Sequence, residues 1–106
     1  MKYTMARYTV KPETVKSVKR AIAEFVEEVH KHEPRTLYAV FREEGQHTFV
    51  HWMRFENEAA ERRHAQARYS KHFAHKLLPT FVGKAAFSEF RLLASTKKQW
   101  LLEPNR

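Results

Sequence analysis

One stretch limits the possible folds more than any other. Between Pro12 and Pro34, the apolar residues Val15, Val18, Ile22, Phe25, Val26 and Val29 return at steps of three and four, with Lys16, Lys19, Arg20, Glu24, Glu27 and Lys31 on the opposite face. That spacing predicts one long amphipathic helix. Pro12 suits its first turn and Glu13 sits at the positive end of the helix dipole. Pro34 disfavours helical backbone at Glu33, so the helix is expected to stop near His32.

Four segments around this helix read as strands. Tyr3 to Val10 alternates, with Ala6, Tyr8 and Val10 on one side. Thr36 to Glu43 carries Leu37, Tyr38, Val40 and Phe41, and His47 to Phe55 carries Phe49, Val50, Trp52 and Phe55. Ala86 to Ala94 carries Phe87, Phe90, Leu92 and Leu93. The link Glu43-Glu44-Gly45-Gln46 marks a hairpin between the second and third strands. A second helical region fills Asn57 to Leu78. Ala60, His64 and Ala67 share one of its faces, while Phe73 and Leu77 lie well off that face in a continuous helix. A break is therefore expected near Tyr69-Ser70, with Ser70 capping a short second helix.

The order βαββαβ predicts an α+β fold of ferredoxin-like type: a four-stranded antiparallel sheet with the helices on one face. The strands carry Phe49 and Phe55 on one side and Val50 and Trp52 on the other. A sheet apolar on both faces needs a second cover, and a symmetric copy of the chain supplies one.

The 106 residues amount to one domain, and 42% hydrophobic with 30% charged residues is a globular composition. Residues 1–94 are expected to form that domain. Residues 95–106 form a polar tail, apart from Trp100-Leu101-Leu102, which are expected to dock on the domain or at a dimer interface. With no cysteine, disulfides, thiolate nucleophiles and Cys-ligated metal centres are excluded. With Gly45 and Gly83 as the only glycines, neither a GxGxxG fingerprint nor a phosphate-binding P-loop can be written. No apolar run approaches the roughly 18–20 residues of a membrane span. Met1 to Arg7 lacks the apolar core of an export signal, so a cytoplasmic location is expected. Twenty Lys+Arg against twelve Asp+Glu give a formal charge of +8, which favours anionic partners. Arg62, Arg63, Arg68, Lys71 and Lys76 concentrate this charge on the second helical region, where a solvated helix face is the alternative.

Two runs resemble antibiotic-biosynthesis-monooxygenase (ABM) domains. Glu33-Pro34-Arg35-Thr36-Leu37-Tyr38-Ala39-Val40-Phe41-Arg42 is similar to the family's junction between first helix and second strand. Phe55-Glu56-Asn57-Glu58-Ala59-Ala60-Glu61-Arg62-Arg63-His64 resembles its strand-to-helix run, with Ala60 on the family alanine and Phe55 on its usual tryptophan. Arg35 stands at the usual glycine and Met53 at a common acidic position. The resemblance covers about residues 5–94. It implies a homodimer in which two sheets pack face to face into an α/β barrel, with a pocket in each subunit between sheet and helices. Characterised relatives oxidise quinols or polycyclic phenols with oxygen and without metal or flavin, while others bind and degrade haem.

His64 is the foremost catalytic candidate. Its helical face points toward the sheet, and a partly buried imidazole can take a proton from a phenol or hold a hydroxyl in place. The same position also fits a core histidine satisfied by a backbone carbonyl or water. Tyr8, Tyr38, Phe41 and Trp52 are candidates for an aromatic pocket, with packing at the core or interface as the alternative. Tyr69, at the expected helix break, could turn its hydroxyl into the cleft.

His72 is a further candidate for substrate binding, and His72 and His75 could offer an axial ligand to haem. The haem-degrading branch, however, places an asparagine on the first strand and a tryptophan on the second helix, and this chain has neither. No cofactor and no metal site are therefore expected. Phe49-Val50-His51-Trp52 matches half of an RNA-recognition motif, but Gly45-Gln46-His47-Thr48 does not complete it, so nucleic acid is not the expected partner. The expected activity is cofactor-independent oxygenation of a small aromatic or quinol-like compound. The alternatives are a non-catalytic dimeric ligand-binding or stress protein, or an RNA-recognition-like module.

Overall fold

The computed structural model describes residues 1–97. The chain runs β1 (Lys2–Val10), a 3-10 turn at Pro12–Thr14, α1 (Val15–His32), β2 (Leu37–Arg42), β3 (Thr48–Phe55), α2 (Glu58–Gln66), α3 (Arg68–Leu77), a second 3-10 turn at Leu78–Thr80, and β4 (Phe81–Phe90). The strands form one antiparallel sheet in the order β2-β3-β1-β4. This is the ferredoxin-like α+β fold expected from the element order. No helix among the described residues is long and apolar enough to cross a membrane.

Strand parity decides which side chains meet the helices. Tyr8 pairs with Phe49, and Ala6 with His51. Tyr38 pairs with Met53, and Val40 with His51. These residues share one face, and there Tyr8, Val10 and Phe49 pack with Val18, Ala21, Phe25 and Val29 of α1 and with Phe73 and Leu77 of α3. Phe25 and Phe73 stack with ring centroids 4.3 Å apart and planes within 3°, which fastens α1 to α3. A second cluster of Ala6, Met53 and Phe55 packs under Ala60 of α2.

The opposite face of the sheet is open. Phe41, Trp52 and Phe90 retain 56%, 36% and 42% of their surface there. Trp52 and Phe90 lie 5.1 Å apart, ring to ring. Both faces of the sheet are thus apolar, as the sequence pattern indicates.

Two boundaries differ from the sequence reading. The helical break falls at Ala67, whose ψ of 146° leaves the helix between α2 and α3. Ser70 lies inside α3 and caps nothing. β4 begins at Phe81, five residues before the expected Ala86, and ends at Phe90. Its register against β1 shifts between Arg7 and Thr9, opposite Gly83 at φ +76°. Such an irregularity lets a strand continue through a glycine that reads locally as a strand end. The Trp100-Leu101-Leu102 segment lies outside the described residues.

Candidate functional site

The helix end at Pro34 places the first functional group. Glu33 leaves α1 with φ −130° and ψ 69°, and its N–H still donates to the Val29 carbonyl, 2.8 Å away. Its carboxylate meets the face of α2. That helix is started by Asn57, whose side chain accepts the Ala60 N–H at 2.9 Å. The Thr4 hydroxyl pins α2 to β1 by donating to Glu61 at 3.1 Å. One turn beyond Ala60, His64 lies against Phe55 and Tyr38, with ring centroids 5.0 and 5.5 Å away.

His64 Nδ1 lies 2.7 Å from Glu33 Oε2, with both side chains close to 90% buried (11% and 12% exposed). Tyr69, at the start of α3, donates its hydroxyl to the same oxygen. Burial alone pushes the Glu33 carboxyl up. The hydrogen bonds from His64 and Tyr69 and the nearby His64 charge outweigh it, with Thr36 adding in the same direction, so the net pKa is lowered. Glu33 is therefore a carboxylate near neutrality. His64 Nδ1 must then carry the hydrogen, and in the neutral ring Nε2 is the open acceptor. Burial, followed by the Glu33 contact, raises the Tyr69 phenol.

Glu33 Oε1 is the remaining polar atom of this cluster. It is buried and no donor among the described residues meets it in hydrogen-bond geometry, the Thr36 side chain lying only near enough to the carboxylate to help depress its pKa. A cleft of about 240 Å³ lies beside it, lined by Glu33, Thr36, His64 and Tyr69 together with Arg35 and Arg63. A buried carboxylate oxygen on a cleft wall is a strong acceptor awaiting a donor.

A second polar cluster lies deeper. His51 of β3 is 2% exposed. Its Nε2 lies 2.8 Å from the Tyr8 hydroxyl and its Nδ1 2.8 Å from the Tyr38 hydroxyl. Burial, aided by the His64 charge, lowers the His51 pKa to about 4. Burial pushes both tyrosines above their ordinary value, Tyr38 further raised by Tyr8 and Glu33.

The structure brings together only part of the sequence-derived set. His64 and Tyr69 meet at Glu33. Tyr8 and Tyr38 lie in the same layer but face His51. Phe41 and Trp52 lie on the other face of the sheet, away from the cleft. Tyr8, buried under the helices, cannot share an exposed base-stacking surface with Trp52. His72 is exposed on α3, in a separate groove of about 640 Å³ between α1 and α3. Two ion pairs lie on its walls, Lys76 with Glu24 at 3.1 Å and His32 with Glu28 at 3.4 Å. Among the described residues no group of three or more His, Cys, Asp or Glu is placed to hold a metal ion.

Sequence reasoning missed Glu33 as a site residue and His51 as the centre of the buried tyrosine network. His51 had a signal, because it interrupts the buried alternation Phe49, Met53, Phe55. Glu33 had its place before Pro34 and at the head of the run that resembles the family's helix-to-strand junction.

A model of the antibiotic biosynthesis monooxygenase family matches residues 1–76. Several solved structures share the fold. One is an antibiotic biosynthesis monooxygenase, 20% identical, with a TM-score of 0.81 over 89% of this chain and 100% of that one. A conserved protein from Methanosarcina mazei is 21% identical, with a TM-score of 0.78 over 85% of this chain and 90% of that one. PA3566 from Pseudomonas aeruginosa is 18% identical, with a TM-score of 0.77 over 88% of this chain and 94% of that one. No curated protein matches the chain.

Proposed function

The chain belongs to the antibiotic biosynthesis monooxygenase family, and from that premise we propose that it is a monooxygenase-type enzyme acting on a small aromatic or quinol-like compound. The observation that carries the reading is the buried Glu33–His64 pair on the cleft wall, with Glu33 Oε1 left without a donor. A phenolic hydroxyl supplies that donor. His64 Nε2, its tautomer fixed by Glu33, then takes a proton from the substrate, and the resulting phenolate-type anion is electron-rich enough to react with oxygen. When a substrate CH2 becomes C=O, one oxygen atom enters the product and the other leaves as water with the two hydrogens. The electrons come from the substrate, and the protein's part is to hold, deprotonate and shield it.

The enzyme acts as a homodimer in this reading. The apolar sheet face bearing Phe41, Trp52 and Phe90 is too large to leave in water, and a symmetric copy covers it. Light scattering on a sizing column is expected to give twice 12.7 kDa, and Trp52→Glu is expected to give a monomer.

The catalytic reading is tested by oxygen uptake with a panel of quinols and anthrones. His64→Ala and Glu33→Gln are each expected to slow turnover about a hundredfold or more, the usual loss when a positioned base is removed. Equal rates in wild type and His64→Ala remove His64 from the mechanism. Tight binding without oxygen uptake points instead to a ligand-binding protein.

A further inference from the structure

The charges around the cleft are nearly all matched, and the exception is informative. Glu33 is paired with His64 at 2.7 Å, and Glu56 with Arg35 at 3.3 Å. His32, at the edge, faces Glu28 at 3.4 Å. Arg63 also lines the cleft, is exposed, and makes no ion pair among the described residues. Although it and His64 are neighbours on α2 and project in different directions, both line this cleft. Besides His64 Nε2, the cleft therefore holds two further unspent groups: a buried acceptor at Glu33 Oε1 and a cation at Arg63.

Size narrows the ligand further. A volume of about 240 Å³ falls below the roughly 300–1,000 Å³ of pockets that enclose drug-sized molecules. One ring with short substituents fills that space, and the further rings of a fused polycycle would lie outside it, in solvent.

We infer that this cleft selects a single-ring hydroxylated aromatic carrying an anionic substituent, with Glu33 Oε1 accepting the hydroxyl and Arg63 reading the negative charge. The inference rests on the functional reading above and adds the substrate's size and charge. A guanidinium matches a carboxylate in a two-pronged geometry that an ammonium cannot reproduce. Because Arg63 is open to solvent, its contribution is moderate and sensitive to salt.

Isothermal titration of the full chain with hydroquinone and catechol, with their charged counterparts 2,5- and 3,4-dihydroxybenzoate, and with benzoate separates the two layers of the argument. The carboxylated diols are expected to bind about fivefold more tightly than the neutral ones at low salt, the usual size of a half-exposed ion pair. Arg63→Gln abolishes that preference without changing neutral diol affinity, Arg63→Lys keeps part of it, and added NaCl erodes it. Glu33→Gln weakens charged and neutral diols alike, and benzoate, which lacks the hydroxyl, binds least. Equal affinity for charged and neutral diols, or a preference that survives Arg63→Gln, overturns the inference and leaves the functional reading standing. Neutral diol affinity indifferent to Glu33→Gln overturns the reading of the site. No binding by any of the diols overturns both.

Discussion

His51 and His64 occupy the same layer between sheet and helices, each beside tyrosine, and they are chemically opposite. His51 is sealed: it is 2% exposed, both its nitrogens face neutral phenols at 2.8 Å, and it lines neither the cleft nor the groove described above. His64 faces a carboxylate at 2.7 Å, and that carboxylate keeps a free oxygen on a cleft wall. Burial and residue type are shared, so neither nominates a site. The difference is unspent bonding capacity beside a space. A closed polar network fixes the core, and an open one can act on something else.

The comparison breaks most readily at His51. Replacing it by leucine strands two buried phenol hydroxyls, at about 1–3 kcal/mol each. We expect His51→Leu to cost about 3–4 kcal/mol and to lower Tm by about 15 °C or more for a domain of this size. His64→Leu leaves Glu33 with Tyr69 and with water from the cleft, so the expected cost is about 1–2 kcal/mol. Chemical denaturation of both variants checks the order. A larger loss at His64 would mean that the cleft cluster, not the sealed one, carries the stability.

Acid should reveal the same contrast. Folding holds His51 neutral down to about pH 4, against 6.5 when unfolded. Between those values the unfolded chain binds the extra proton, so stability rises with pH and is lost as pH falls from about 6.5 to 4. A shift of that size corresponds to about 3 kcal/mol. Glu33 acts in the same sense lower down. Its depressed carboxyl stabilises the fold above its unfolded value and loses that contribution as pH falls through the folded one. Urea titrations across pH 4–7 should therefore show a slope in wild type that flattens in His51→Gln and persists in His64→Gln.

Much of the architecture was legible because periodicity is local. The proline-bounded helix, the hairpin and the two-sided apolar sheet follow from spacing alone. β4 was displaced because Gly83 and Lys84 look like a strand end, and only pairing with β1 carries the chain through them. Of the site, His64 followed from helical phase, and Tyr69 from the phase change between α2 and α3. Phe41 and Trp52 were grouped with Tyr38 by aromatic character, although strand parity separates them. Tyr38 and Phe41 are three residues apart and must point to opposite faces. Glu33 could not be found locally. Its role depends on a backbone turn at the end of α1 that meets α2, 31 residues later.

The smallest expected effect tests the proton count inside the sealed cluster. Tyr8, neutral His51 and Tyr38 bring three hydrogens to two contacts. One ring nitrogen donates and the other accepts, so one phenol accepts from His51 while its own O–H has no partner in the core. Removing that phenol's oxygen loses one hydrogen bond and exchanges its stranded O–H for a stranded His51 N–H, so the number of unpartnered donors is unchanged. Removing the other phenol's oxygen leaves His51 with an unfilled acceptor. Tyr8→Phe and Tyr38→Phe should therefore be unequal, both destabilising, with the donating phenol costing about 1 kcal/mol more than the accepting one. The identity of the costlier variant fixes the His51 tautomer: the larger loss at Tyr8 puts the hydrogen on Nδ1, and the larger loss at Tyr38 puts it on Nε2. Nitrogen chemical shifts of the His51 ring provide an independent reading of the same tautomer. Equal and large losses at both tyrosines would show that the surplus hydrogen has a partner after all, and that the inner cluster is less closed than the contrast with His64 requires.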